Sequence, residues 1–197
     1  MRSGVSLAAM VCVLSVLTGC ISVSAWVDPS SARLTYSNLV PARDRLTLGV
    51  LVEFSSQRKG PKPAGTAYAR EAVIQTLQKS KLFASVSSGV VGTDATIEIT
   101  IVNTVGQIAE GSSKAATLAT LGAVGATTID PYVFTAVYHF SQGDERKLTY
   151  ENKIYGRVGG GSAPVGVEPL NVEIAFSQMI EQFVLRLLKD LQAQGLL

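Results

Sequence analysis

The sequence predicts an α+β two-layer sandwich: a mixed or antiparallel sheet with two amphipathic helices packed on one face. Apolar residues recur at every second position in several short segments, the mark of half-buried strands. Two longer segments place apolar residues at helical spacing. The order of these segments is strand, helix, short strand, strand, uncharged apolar segment, hairpin, helix, which fits helices gathered on one side of a sheet.

The elements follow in chain order. Leu46, Leu48, Val50, Val52 and Phe54 alternate and share one face of a first strand. Ser55 to Gly65 reads as a loop containing Gly60, Pro61, Pro63 and Gly65, with the cations Arg58, Lys59 and Lys62. Thr66 is suited to cap a helix running to about Lys81, with Tyr68, Ala72, Ile74 and Leu77 as its apolar stripe. Leu82 to Val86 turns into a short strand. Ala95 to Val105 alternates again, with Ile97, Ile99 and Ile101 opposed to Thr96, Glu98 and Thr100. Tyr132 to Ser141 places Tyr132, Phe134, Ala136, Tyr138 and Phe140 on one face. A turn at Gln142-Gly143-Asp144-Glu145 leads to the partner strand Lys147 to Val158, with Leu148, Tyr150, Ile154 and Val158 on one face. After the loop Gly159 to Pro164, Asn171 caps a helix from Val172 to Gln194, and Gly195 stops it. Phe176, Ile180, Phe183, Val184, Leu187, Leu188 and Leu191 form its stripe.

The uncharged segment Ala115 to Ile129, AATLATLGAVGATTI, is too short to span a bilayer. Its small residues permit close backbone approach. A buried core segment is one reading. A membrane or subunit contact through Leu121, Gly122, Val124 and Gly125 is the other.

At 197 residues the chain is long enough for one domain with a substantial core. With 47% hydrophobic and 16% charged residues, it is too apolar for a disordered tail. A net charge of +2 gives nucleic-acid binding no electrostatic support. One histidine, His139, rules out a His-based metal cluster, and no cofactor motif stands out.

The amino terminus carries the clearest signal. Arg2 precedes the apolar run Val5 to Leu17, which is too short to cross a membrane and suits a signal-peptide core. Leu17-Thr18-Gly19-Cys20 resembles the lipobox of bacterial lipoproteins. That resemblance implies a signal peptide at 1–19, cleavage after Gly19, and a diacylglycerol thioether on Cys20. Cys12 would be discarded, leaving no free thiol. Ile21, rather than Asp, follows the cysteine; in enteric-type sorting this implies the outer membrane, with the domain facing the periplasm. Residues 20–45, with several Ser and Pro, read as acylated Cys and flexible tether, and 46–197 as a single periplasmic domain. A tether of this length reaches about 80 Å when extended. Trp26 within it suits either the lipid headgroup level or packing on the domain or a neighbouring subunit.

Catalytic motifs fail by inspection. Gly160-Gly161-Ser162-Ala163-Pro164 lacks the second glycine of a nucleophile elbow, and no Gly-Lys-Ser/Thr follows the triglycine. Ser56-Gln57-Arg58-Lys59 matches S-x-x-K by chance in a Pro/Gly loop. His139 reads as a sheet-face residue. Glu53, Asp94, Glu98 and Glu151 have no spacing that forces two carboxylates together.

The segment AREAVIQTLQKSKLFASV, Ala69 to Val86, resembles the helix-to-strand segment of envelope lipoproteins with a TolB amino-terminal-like fold. Leu77, Ser80, Phe83 and Val86 match that pattern, and Val73 replaces its first Leu. The curli-secretion pore and Pel-polysaccharide export lipoproteins are distant relatives of this kind. The resemblance carries over no functional residue beyond Cys20. The anchor motif and the lack of a catalytic motif point to a lipid-anchored, non-enzymatic binding or assembly factor with a protein or glycan partner in the envelope. A subunit of an oligomeric export complex, forming homo-oligomers as relatives of this fold do, is the alternative. A hydrolase with an unrecognised site is the weakest reading.

Overall fold

The computed structural model describes residues 23–29, 33–104, 107–108, 126–140, 143–158 and 167–197. Among them are eight strands: β1 (Val23–Val27), β2 (Thr47–Ser56), β3 (Gly60–Pro61), β4 (Ser85–Ser88), β5 (Ala95–Asn103), β6 (Gln107–Ile108), β7 (Ala126–His139) and β8 (Glu145–Val158). Two α-helices, α1 (Pro63–Ser80) and α2 (Val172–Ala193), accompany them. The strands form one mixed sheet in the order β1-β8-β7-β5-β2-β3, with β4 on β2 and β6 on β7. Only β2 with β4 and β2 with β5 run parallel. The α+β two-layer sandwich expected from the sequence is the fold observed.

Alternation decides which face is covered. Leu48, Val50 and Val52 of β2, Ile97, Ile99 and Ile101 of β5, and Phe134, Ala136 and Tyr138 of β7 are all buried. The register aligns Ile101 with Phe134, Ile99 with Ala136, and Ile97 with Tyr138, so three strands form one apolar surface. The two helices lie on it. Helix α2 buries Ala175, Met179, Ile180, Phe183, Val184, Leu185, Leu187, Leu188 and Leu191. Phe183 stacks on Phe134 at 4.4 Å between ring centroids and meets Tyr150 edge-on. The helix begins where its cap chemistry says it must: Asn171 Oδ1 accepts a hydrogen bond from the Glu173 amide at 2.7 Å. Gly195, at φ +71°, follows its end.

Helix α1 departs from expectation in two ways. It starts at Pro63, where a missing N–H costs nothing, so Thr66 lies inside it. The Thr66 hydroxyl instead accepts from the Phe54 amide at 2.9 Å and latches α1 to β2. Its buried stripe is Ala69, Val73, Thr76 and Leu77, while Tyr68 stays 41% exposed. The expected stripe was rotated by about one residue.

Strand β7 is longer than its alternation suggested. The segment Ala126 to Pro131 is small, polar and broken by a proline, yet it pairs with Lys153 to Val158 of β8. On the other side, β5 stops opposite Tyr132 and β6 resumes opposite Ile129. The interruption falls at Pro131, the residue without an amide to give.

The described part of residues 20–45 is laid on the domain, which corrects the expectation of a free tether there. Strand β1 pairs with β8 from Val23↔Val158 to Val27↔Ile154, and Ala25 is fully buried. Ala25 also exchanges both backbone hydrogen bonds with Leu170, each at 2.8 Å. Beyond it, two glutamines of α2 hold the chain as a strand would. Gln182 accepts from the Leu34 amide at 2.7 Å and donates to the Leu34 carbonyl at 3.0 Å. Gln192 makes the same pair of bonds to Val40. Between them the Tyr36 hydroxyl donates to Glu181 at 2.6 Å. Burial and the Glu181 carboxylate hold its proton well above the ordinary phenol range.

Candidate functional site

A cavity of about 590 Å³ lies where β2 and β5 end and α1 begins. Its size suits a small ligand. One wall is the β2–β3 turn. Gly60, at φ +67°, closes that turn, and the Lys59 amide donates to the Ser56 carbonyl at 3.1 Å. The Gln57 amide ties the turn to the end of β5 through the Asn103 carbonyl at 2.9 Å. Arg58 and Lys59 project from this turn, and Lys62 lies just before α1; all three line the cavity. None of them forms an ion pair with a described residue.

The opposite wall is the extended part of β7, with Thr128, Asp130 and Tyr132. Phe54 closes the inner end. It packs against Tyr132 (6.5 Å) and Phe176 (5.6 Å), with Tyr68 behind them. Burial first, and the nearby Asp130 charge second, push the Tyr132 phenol up to about 12, so it is a neutral hydroxyl. Gly65 shows how tightly α1 seats here: a Cβ at that position would lie 2.3 Å from the Phe54 ring. Pro63, Ala64 and Gly65 of the first turn of α1 line the cavity, so the positive end of this 18-residue helix opens on it beside three cations.

The other candidate residues are dispersed. Cys20, Leu121, Gly122, Val124 and Gly125 lie outside the described residues, as does the triglycine loop. Trp26 is 4% exposed and stacks on Tyr155 at 5.9 Å with the rings 5° from parallel, so its ring is held by the domain rather than offered to headgroups. His139 lies on the sheet face opposite the two helices. Its Nε2 is 3.5 Å from Glu98 and its Nδ1 3.8 Å from Glu145. The carboxylates are not paired for acid–base work. Glu53 faces Thr100 across the ladder, Glu98 faces Leu51 and Val137, and Glu151 faces Val133. Asp94 accepts from both the amide and the hydroxyl of Thr47 at 2.7 Å, and these bonds hold its carboxyl below the usual value. Among the described residues no group of three or more His, Cys, Asp or Glu could hold a metal, and no helix is long and apolar enough to cross a membrane.

Sequence reasoning found the cations of the cavity but not its far wall. Thr128 and Asp130 carry no strand alternation, and only the pairing with β8 makes them the wall of the cavity that Arg58 and Lys62 also line.

No family model and no curated protein matches the sequence. Among solved structures, the chain is similar to a minor lipoprotein from Acinetobacter baumannii, at 10% identity and a TM-score of 0.35, over 76% of this chain and 93% of that one. It is also similar to a PelC dodecamer from Paraburkholderia phytofirmans, at 12% identity and a TM-score of 0.35, over 85% of this chain and 98% of that one. Similarity at this level assigns neither family nor function.

Proposed function

We propose that the protein is a lipid-anchored envelope lipoprotein that acts at the membrane surface as a non-enzymatic binding or assembly factor. The observation that carries this reading is the spacing between Cys20 and β1. Leu17-Thr18-Gly19-Cys20 has the aliphatic–small–small–Cys order of an acylation site, and Val23 of the sheet follows only three residues later. Three residues span about 10 Å at most. Acyl chains on Cys20 therefore hold the domain itself against the bilayer. Two or three chains anchor far more firmly than one. The outer membrane, with the domain facing the periplasm, follows from Ile21 by the enteric sorting rule. A cavity with three cations that have no ion-pair partner among the described residues, and with an aromatic end, supports a binding role.

Metabolic labelling with a fatty-acid analogue tests the anchor. Wild type should incorporate label and Cys20→Ser should not, because serine forms no thioether. Equal labelling of the two would overturn the reading.

The second reading is a subunit of an oligomeric export complex. The sheet face opposite the helices favours it: among the described residues no helix lies on it, Leu51 is 41% exposed there, and Val102, Val133 and Val137 lie on the same face. The mass of the detergent-extracted particle separates the two, since a binding factor runs as one copy and an export subunit as a ring.

A further inference from the structure

The anchor and the basic cavity lie at the same end of the sheet. Val23 pairs with Val158, which pairs with Ala126. Thr128 and Asp130, on the cavity wall, are two and four residues along β7 from that row, or about 7 and 13 Å. Strand β1 is two strands away from β7, a lateral offset of about 10 Å. The near wall of the cavity thus lies within about 25 Å of Val23, the first sheet residue after Cys20, and the cations lie two to three strands further along the sheet, about 10–15 Å more. There the cavity presents Arg58, Lys59 and Lys62 without ion-pair partners among the described residues, together with the positive end of α1.

We propose that this cavity binds the phosphate of an anionic lipid headgroup in the leaflet that holds the protein's own acyl chains. The site rests on the anchored reading for its orientation, and on its own geometry for its chemistry. Cations on a turn braced by the Ser56 and Asn103 carbonyls suit a phosphate, and the amide end of α1 adds donors to the same pocket. Phe54 and Tyr132 offer the apolar atoms of a glycerol backbone a surface to rest on. The headgroup would act as a second attachment point, fixing the orientation of the domain as well as its distance from the membrane.

The test is titration of the purified full-length protein in detergent. The probes are dihexanoyl-phosphatidylglycerol below its micelle concentration, dihexanoyl-phosphatidylcholine, and inorganic phosphate. Binding is followed by amide chemical shifts of Ala64, Gly65 and Thr66. Wild type should prefer phosphatidylglycerol over phosphatidylcholine by on the order of tenfold. Arg58→Gln/Lys59→Gln/Lys62→Gln should lose that binding by about a hundredfold, at about fivefold per cation. These side chains are exposed or half-exposed, so the melting temperature should not move. Lys147→Gln, on the open sheet face, serves as the charge control and should bind as wild type. Equal affinity for both lipids, or an unaffected triple variant, would overturn the proposal. Inorganic phosphate binding as tightly as phosphatidylglycerol would also overturn it, by making the site one for a free anion. The intact mass of the same sample reports acylation separately, so a failed anchor is not confused with a failed site.

Discussion

The two faces of the sheet use the same strands for opposite ends. On the covered face, Ile97, Ile99 and Ile101 meet Phe134, Ala136 and Tyr138, and α2 closes over them. One residue along, Thr96, Glu98 and Thr100 meet His139, Val137 and Thr135, with no described helix above them. Stability is concentrated on the first face, where each side chain has left water entirely. The second face and the end of the sheet are free to carry polar groups, because little of the fold depends on them. The cavity accordingly lies at the end of the sheet, where the β2–β3 turn and the start of α1 converge.

The largest expected effect breaks the covered face. Leu187 is 1% exposed. Truncating such a residue costs about 2–5 kcal/mol, and a small domain has only about 5–15 kcal/mol in hand. Burying an unpaired charge costs more. Leu187→Asp should therefore give an insoluble or rapidly degraded protein. A soluble variant with an unchanged melting temperature would mean that α2 covers something other than this sheet.

A smaller effect is expected on the outer side of α2. Gln182→Ala removes two hydrogen bonds to the Leu34 backbone, which is half-buried. At about 1 kcal/mol each, the loss is about 2 kcal/mol. Amide exchange at Leu34 should rise while exchange in β5 and β7 stays slow. Equal acceleration throughout would show that this segment is part of the core.

Asp94 sharpens the contrast through pH. Its folded carboxyl lies below the ordinary value of 3.8 because the Thr47 amide and hydroxyl donate to the charged form. A depressed folded value stabilises the protein above the unfolded value, and that contribution disappears as pH falls through the folded one. Asp94→Asn should flatten the acid limb of a melting-temperature profile below pH 3.8 and leave the neutral region parallel to wild type. An acid limb identical to that of wild type would remove Asp94 from the account.

The smallest effect belongs to the sheet face opposite the helices. Thr135 is the immediate neighbour of fully buried Phe134, yet Thr135→Ala should change stability by no more than about 0.5 kcal/mol. A loss of several kcal/mol in urea unfolding would mean that this face is covered after all.

What was legible in the sequence was local. Helix α2 follows from its own stripe and its own cap at Asn171, and the Tyr132–Phe140 alternation needs no partner to be recognised. The start of β7 was not legible, since Ala126 to Pro131 has neither alternation nor bulk; pairing with β8 makes it a strand. The same holds for β1, whose Ser-containing sequence looks like a linker until it meets Ile154 to Val158, far along the chain. The glutamine clamps on Leu34 and Val40 join residues about 150 positions apart, and no spacing rule announces them. The cavity was half legible for that reason: its cations come from one local turn, and its other wall from a long-range pairing.

On the proposed function, the domain is held at the bilayer through the two residues, Ile21 and Ser22, that separate Cys20 from β1. Trp26 is the chain's one tryptophan and lies within β1, so it reports directly on this distance. Energy transfer from Trp26 to a dansyl-headgroup lipid should be measured in vesicles carrying the acylated protein. A second form should carry a Gly/Ser linker of about 20 residues between Ser22 and Val23, which adds about 25 Å of mean reach. Efficient transfer in the natural chain, falling in the linker form at an unchanged melting temperature, is the expected result. Equal and weak transfer in both would contradict the claim.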